Sequence, residues 1–520
     1  MDKFESISPL LPEILALHGK WRGSKEAVIC DNRRWTWAEF CAASHQLAHG
    51  LVARGIKPGE RVAVVMSNSL EMVQALCGVM AAGACSVPIN LSVSDEALVG
   101  MLADAGASAL IASEDQRARL DNLDGGLPAQ LALRIVAASP GSSGWLSLEE
   151  VCKGQPAAFP GIAIAPDAPL NIIYSSGTTG LPKGILHTHQ GRLAWAMDLA
   201  IALRYHGSAR SLFTIGLYSN ISWVGMLCTL LAGGTAVVCR SFDPADTLRQ
   251  IERERISHIA MVPIQYQRVI EALKSAGGDV SSMQAMMSCG SPLHEGLKQE
   301  IFEQFSCGVI ELYGLTEGII TTLEPEEAQG RWSSVGRPLL GTDICIIDDE
   351  DRILGPDQPG EIVSRARIAM PCYWGREDVT AQAMFVDSEG KQWLRSGDIG
   401  YYDSDGYFYI VDRKKDMILS GGQNVYPQDI EAVLVQHPEV DDAAVIGLPS
   451  RRWGETPVAL VVPVAESGAD HGAIREWTNG RVGKQQRIAE VIFVDELPRN
   501  PNGKILKREL RQTFGDRHYE

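Results

Sequence analysis

Tyr174-Ser-Ser-Gly-Thr-Thr-Gly-Leu-Pro-Lys-Gly184 packs three glycines, four Ser or Thr hydroxyls and a lysine into eleven positions directly after the apolar run Asn171-Ile-Ile. A strand that opens into such a loop is suited to holding a polyphosphate. Glycines let backbone N–H groups turn toward an anion, hydroxyls add donors, and Lys183 adds a point charge. The run is not a Walker loop, because no Gly-Lys-Ser/Thr follows the first glycine at the required distance. A flexible surface linker would carry neither adjacent threonines nor a Pro-Lys-Gly ending.

Outward from this loop, the chain alternates strand-like and helical patterns. Arg61-Val-Ala-Val-Val-Met reads as a strand, Leu70 to Ala82 has helical spacing, and Cys85-Ser-Val-Pro-Ile returns to a strand. Ala109-Leu-Ile-Ala, Thr235-Ala-Val-Val-Cys and His258-Ile-Ala-Met-Val repeat the scheme, each after a helical pattern. Such alternation predicts an α/β fold with parallel-rich sheets covered by helices. Around Gly360-Glu-Ile-Val and Gly406-Tyr-Phe-Tyr-Ile-Val the spacing shortens, which predicts a small β subdomain. Beyond Asp412-Arg-Lys-Lys415 an α+β pattern runs to the end, so a large domain over 1–412 and a smaller one over 413–520 are expected. A chain of 520 residues exceeds what one core supports, which agrees with two domains.

Composition narrows the function. A net charge of -17 disfavours binding to nucleic acid or to anionic membranes. Eleven cysteines with no CxxC pair predict reduced thiols rather than disulfides or zinc, and the N-terminus has no signal-peptide pattern, so a cytoplasmic location is expected. The apolar stretch from Val73 to Leu91, interrupted by Gln74 and Pro88, reads as a packed helix and strand rather than a membrane span. His187 and His189 lack a third ligand, so a structural or surface role is expected for them.

The phosphate-loop run resembles the signature of the acyl-adenylate-forming superfamily, which includes acyl- and aryl-CoA ligases, firefly luciferase and peptide-synthetase adenylation domains. Further motifs of that family follow in order: Glu311-Leu-Tyr-Gly-Leu-Thr-Glu317, Ser396-Gly-Asp398, Tyr409-Ile-Val-Asp-Arg-Lys-Lys-Asp416, Gly421-Gly-Gln-Asn-Val-Tyr-Pro427 and Pro498-Arg-Asn-Pro-Asn-Gly-Lys504. The resemblance implies activation of a carboxylic acid by ATP and Mg²⁺ as acyl-AMP, followed by transfer to coenzyme A or, alternatively, to an amine or amino acid. It implies that Ser175, Ser176, Gly177, Thr178, Thr179, Gly180 and Lys183 surround the β- and γ-phosphates, with Thr178 and Glu317 at the metal and Thr316 on the α-phosphate. It places Gly290, Ser291, Pro292 and Tyr313 about adenine, and Asp398 with Arg413 at the ribose. Lys504 is expected to bridge the incoming carboxylate and the α-phosphate.

By the same resemblance Lys415 is the hinge of a mobile C-terminal domain, and Gly421 and Gly422 flank the tunnel for the acceptor. The acyl pocket is expected from Tyr218, Ser219, Trp223, Val262, Gly314, Leu315 and Ile319, mostly apolar or aromatic, which suits a hydrophobic acid. Ser219 stands where many CoA ligases of the family carry histidine, which leaves the acceptor open between CoA and an amine. An ATP-gated binding protein without turnover would need neither Glu317 nor Lys504. Oligomeric state is not encoded in any of these motifs.

Overall fold

A computed structural model describes residues 8–138, 144–175, 182–420, 423–465, 468, 470–499 and 503–519. Two sheets dominate. The first runs, strand by strand, Leu146–Ser147, Leu133–Ala137, Ala109–Ser113, Arg61–Val65, Cys85–Pro88, Pro169–Ser175 and Lys183–Thr188, and is parallel except where the last two strands pair around the phosphate-loop run. The second runs Arg337–Pro338, Ile320–Leu323, Ile310–Gly314, Ala285–Ser288, His258–Met261, Arg210–Phe213, Thr235–Val238, Glu26–Cys30 and Arg33–Thr36. Its central strands are parallel and both edges are antiparallel.

The helix Leu70–Ala81 explains how the two sheets come together. Ser69 caps it by accepting from the Met72 N–H at 3.1 Å, and every residue except Glu71 is buried. A helix apolar on all sides belongs inside a protein; this one lies in a core shared with Val62 and Val64 of one sheet and Val28, Ala236 and Val238 of the other. The following strand Cys85–Pro88 is fully buried as well. No helix among the described residues is long and apolar enough to cross a membrane.

Antiparallel strands Thr342–Ile347, Gly360–Ala366, Gln392–Tyr402, Met384–Val386 and Phe408–Arg413 form the small β sheet. The last of these ends at Arg413, and the next strand, Ile418–Ser420, joins a different sheet with Gln423–Val425, Gly454–Pro463, Val440–Ser450 and Glu490–Phe493. That final sheet, with helices Pro427–Leu434 and His471–Asn479, has its own core around Val445, Ala459 and Ile474. All eleven cysteines are free thiols and seven are buried, as their spacing predicts.

A buried ion pair sets the strand Ile310–Gly314, which carries the second family motif. Lys298, only 1% exposed, pairs with Glu311 and donates to the Trp332 carbonyl at 2.5 Å. Burial raises the Glu311 pKa, and Lys298 opposes the rise. Breaking one side of such a pair leaves an uncompensated buried charge. Lys298→Met is therefore expected to destabilise the protein by about 3–5 kcal/mol, whereas Lys298→Met/Glu311→Leu recovers most of that loss, as denaturant unfolding will measure.

Candidate active site

The site forms where one edge of the second sheet collects chain. Strands Arg210–Phe213, His258–Met261, Ala285–Ser288 and Ile310–Gly314 are consecutive neighbours and run parallel, so their carboxyl ends lie side by side. Ligands of open α/β sheets bind outside such ends. From them emerge, in turn, the segment leading to Tyr218 and Ser219, then Val262, then Gly290-Ser291-Pro292, then Tyr313-Gly314 with Leu315, Thr316 and Glu317. Gly290 has φ +93, a conformation open to glycine.

Two sheets meet at Asp398. Its carboxylate is buried, accepting from the Tyr313 hydroxyl at 2.8 Å and facing Arg413 Nε at 3.0 Å. Asp398 and Arg413 are cross-strand partners, so the pairing register itself sets this contact. The Ser396 hydroxyl accepts from the Asp398 N–H at 2.9 Å. Burial and the Asp398 charge raise the Tyr313 phenol far above its ordinary value.

Lys504, between the strand Glu490–Phe493 and the helix Lys507–Phe514, feels the charges of this cluster. Its ammonium is pushed down to about 7, first by burial and then by Arg413, with Asp398 opposing; Lys415 lowers it further and Asp416 opposes. Gly503, at φ +78, rests against Ile264 and Val262 of the large domain. Lys415, between the strand ending at Arg413 and the one starting at Ile418, is pushed down to about 8 by burial. Burial lowers the His294 pKa, with the charges of Glu431 and Asp442 in the C-terminal region opposing and Arg499 adding to the fall. Gly421 and Gly422 lie outside the described residues.

Glu317 is positioned by a residue that sequence reasoning missed. The Tyr373 hydroxyl donates to Glu317 Oε1 at 2.8 Å, and Lys183 Nζ lies 5.1 Å above the centre of the same ring. Tyr373 therefore ties the lysine of the phosphate-loop run to the motif glutamate. Its backbone is fixed because Trp374 N–H donates to Gly184 O at 2.7 Å and Leu186 N–H to Cys372 O at 3.2 Å, so residues 372–374 lie along the strand Lys183–Thr188. Gly318 is at φ +115, and a Cβ there would come within 2.5 Å of Ala369, so the turn after Glu317 requires glycine. The only sequence signal for Tyr373 is an aromatic pair between Pro371 and Gly375, too short to show a period.

The half-exposed Glu317 carboxylate keeps its second oxygen beyond the Tyr373 contact. A hard cation such as Mg²⁺ suits that donor, and Mg²⁺ typically takes one or two carboxylates plus substrate phosphates rather than a full protein cage. Among the described residues no group of three His, Cys, Asp or Glu gathers as a metal site. Ser175 ends its strand at Lys183's cross-strand position, whereas Ser176, Gly177, Thr178, Thr179 and Gly180 lie outside the described residues.

On the acyl side, Ser219 caps the helix Asn220–Ala232, accepting from Ile221 N–H at 3.4 Å. Trp223 is buried, donating its indole N–H to Leu217 O at 2.9 Å, and Val262 is buried beside that helix's core. Ile319 is also buried, but in a separate cluster with Ile185, Tyr373 and partly buried Leu315. Gly314 is exposed, and a Cβ there would meet the Ile319 carbonyl at 2.6 Å. Asn68, which no motif flagged, fixes the segment before Tyr218 by bonding Ile215 O, Cys239 O and Leu217 N–H. His187 and His189 are buried rather than on the surface, the first beside Asn171 in the ladder and the second opening the helix His189–Ala202.

Comparison with known proteins agrees with this geometry. The AMP-binding enzyme family matches residues 18–374, and the AMP-binding enzyme C-terminal domain matches residues 429–504. The chain belongs to the AMP-binding enzyme family. Feruloyl-CoA synthase from Amycolatopsis sp is 33% identical over 485 residues, 92% of this chain and 94% of that protein. Among solved structures, the anthranilate CoA ligase AuaEII in complex with anthranoyl-AMP superposes with a TM-score of 0.89 at 25% identity, covering 98% of both chains. The amide bond synthetase McbA from Marinactinospora thermotolerans superposes with a TM-score of 0.87 at 27% identity, covering 97% of this chain and 100% of that one. Like other members of this adenylate-forming family, the protein is built from a large domain of parallel-rich sheets and a smaller C-terminal domain.

Two outcomes follow from the AMP-binding geometry. With Glu317 read as the Mg²⁺ carboxylate, Tyr373→Phe, which keeps the ring under Lys183 but removes the donor to Glu317, should raise the Mg²⁺ concentration for half-maximal pyrophosphate exchange about tenfold. Titrating Mg²⁺ at saturating ATP measures it. A lysine held at about 7 is mostly neutral at about pH 8, and anionic ligands binding beside Lys504 would restore its ammonium, so binding should take up as much as about one proton, fading below about pH 6 where the lysine is already charged. Calorimetry in buffers of different ionisation heat reads this uptake, and Lys504→Met should remove the lysine's share.

Proposed function

We propose that this protein is an AMP-forming acid:CoA ligase that activates a hydrophobic carboxylic acid, aromatic, alicyclic or of medium chain length. The reading is supported by the buried Lys504 of the C-terminal region feeling the charges of Arg413 and Asp398. A lysine brought from a second domain to the nucleotide end has a use only where negative charge converges. In the first half-reaction a carboxylate oxygen attacks the α-phosphorus of ATP, the α–β bridge bond breaks, and pyrophosphate leaves. In the second the CoA thiol attacks the acyl carbon, giving the thioester and AMP.

Each group then has a part. Asp398 accepts the ribose hydroxyls, oriented by Arg413 and Tyr313, while Gly290-Ser291-Pro292 and Tyr313 border adenine. Thr316 donates to the α-phosphate, and Ser175, the loop over 176–180 and Lys183 hold the outer phosphates. Glu317, with Thr178, would hold Mg²⁺, which when bound offsets phosphate charge. Tyr218, Ser219, Trp223, Val262, Gly314, Leu315 and Ile319 shape the acyl side. We assign 1–412 to the large domain and 413–520 to the C-terminal one, turning about Lys415 so that Gly421 and Gly422 replace Lys504 for the CoA step. Dependence on ATP and CoA suits the cytoplasm.

The relatives named as CoA ligases support CoA as the acceptor, and the structural likeness to an amide bond synthetase supports an amine or amino acid as the second reading. Lys504→Ala should lower acid-dependent pyrophosphate exchange by roughly 10²-fold or more while transfer from supplied acyl-AMP changes little. Mass analysis of reactions offered CoA or a panel of amino acids then decides the acceptor: amide without thioester would replace the CoA reading, and equal loss in both half-reactions of the variant would remove Lys504 from the chemistry.

A further inference from the structure

Arg192, on the helix His189–Ala202, is 1% exposed and forms no ion pair among the described residues. Its guanidinium lies 4.5 Å from the ring centre of Trp195 and 5.4 Å from that of Trp223. Nε donates to Asn171 Oδ1 at 3.0 Å and Nη2 to Asn220 Oδ1 at 2.8 Å. The carboxylate on the same helix, Asp198, is engaged by Arg367. A buried cation held only by amide oxygens and indole faces is costly, and burial pushes its pKa down to about 9.

The neighbours share one property. A guanidinium only donates, so both asparagines must turn their oxygens toward it and their NH₂ groups away. Asn171 Nδ2 is buried without a hydrogen-bond partner, as is Nε2 of His187, the cross-strand partner of Asn171. Burial, with Arg192 adding to it, holds His187 neutral. The Arg192 guanidinium and the Asn171 NH₂ are thus donors without enough acceptors, although buried polar groups in native proteins are nearly always matched.

Its outlet is Asn220. This half-buried residue opens the helix Asn220–Ala232 directly after Ser219, and Trp223 of that helix stacks on Arg192. Where the acyl side is formed by Tyr218 to Trp223, the reading on which this inference rests, the Asn220 NH₂, turned away from Arg192, is a donor that can meet a ligand. We propose that the acid activated here carries, away from its reacting carboxylate, an oxygen acceptor that binds the Asn220 amide, and that Arg192 is the positioning residue that fixes the orientation of that amide. A hydroxyl, a keto oxygen and a second carboxylate share this chemistry. A site built to hydrogen-bond a substrate oxygen discriminates far more strongly than an apolar wall does.

The test is acid-dependent pyrophosphate exchange by the full-length protein with ring acids matched in size: unsubstituted, hydroxyl-, acetyl- and carboxyl-substituted. For the wild type, kcat/KM should favour oxygen-bearing acids by about 10²-fold over the unsubstituted one. Asn220→Leu should bring kcat/KM for the oxygen-bearing acids down to the level of the unsubstituted acid; Asn220→Asp, whose carboxylate only accepts, should shift preference to amino-substituted acids. Arg192→Met should weaken the preference without changing the KM for ATP, and because Asn220 is half-buried its variants report even where Arg192→Met does not fold. The carboxyl acid ranking first identifies an anionic acceptor, and the hydroxyl or acetyl acid ranking first a neutral one. Equal use of all acids by the wild type, or an unchanged ranking in Asn220→Leu, overturns the inference. Absence of exchange with every acid would instead remove the adenylation reading itself.

Discussion

The buried carboxylate of Asp398 is the constraint on which the site depends. It comes from the small β sheet, accepts from Tyr313 of the nine-stranded sheet, and pairs with Arg413, the last residue before the chain passes to the C-terminal sheet. One anion thereby ties two strands of the small sheet to the nine-stranded sheet. Because strand register sets the Asp398–Arg413 contact, a slip of one strand by one residue would turn its side chain to the face opposite its partner. The same charge partly offsets the burial of Lys504, so the group that orders the large domain also receives the smaller one.

A second organising contact lies on the other side of the nucleotide end. The Tyr373 hydroxyl and ring serve two partners, Glu317 and Lys183, that arrive from different sheets. The segment carrying Tyr373 lies along the strand leaving the phosphate-loop run, and Arg376 pairs with Asp104, which also accepts from the Tyr174 hydroxyl at 2.7 Å. The residues flanking the loop are in this way braced from below, although the segment that braces them is some 190 residues later in the chain.

The parallel strands were legible because both of their faces are covered, which forces continuous apolar runs such as Arg61–Val65 and His258–Met261. The helix Leu70–Ala81 was legible for a similar reason, its apolar character extending around the whole cylinder. Motif residues such as Asp398 and Glu317 were found because chemistry fixes both their type and their local spacing. Tyr373, Asn68 and Arg192 were not, since each acts through a partner far away in sequence: Tyr373 through Glu317, Asn68 through Ile215, Leu217 and Cys239, Arg192 through Asn171 and Asn220. Local pattern carries no trace of such pairings. His187 and His189 show the converse, polar side chains enclosed by tertiary packing that a two-residue spacing cannot reveal.

The position of strand Glu26–Cys30 has a consequence for biosynthesis. Its parallel partner is Thr235–Val238, with Val28 opposite Ala236. At about 5–20 residues per second a ribosome needs roughly 10–40 s to deliver that partner after the first strand is made. During that interval only the hairpin with Arg33–Thr36 can cover one edge, and an apolar strand, Ala27 to Cys30, keeps the other open. The nascent chain therefore depends on the segment around this strand staying unaggregated until the middle of the protein exists, which makes it a point of vulnerability in folding.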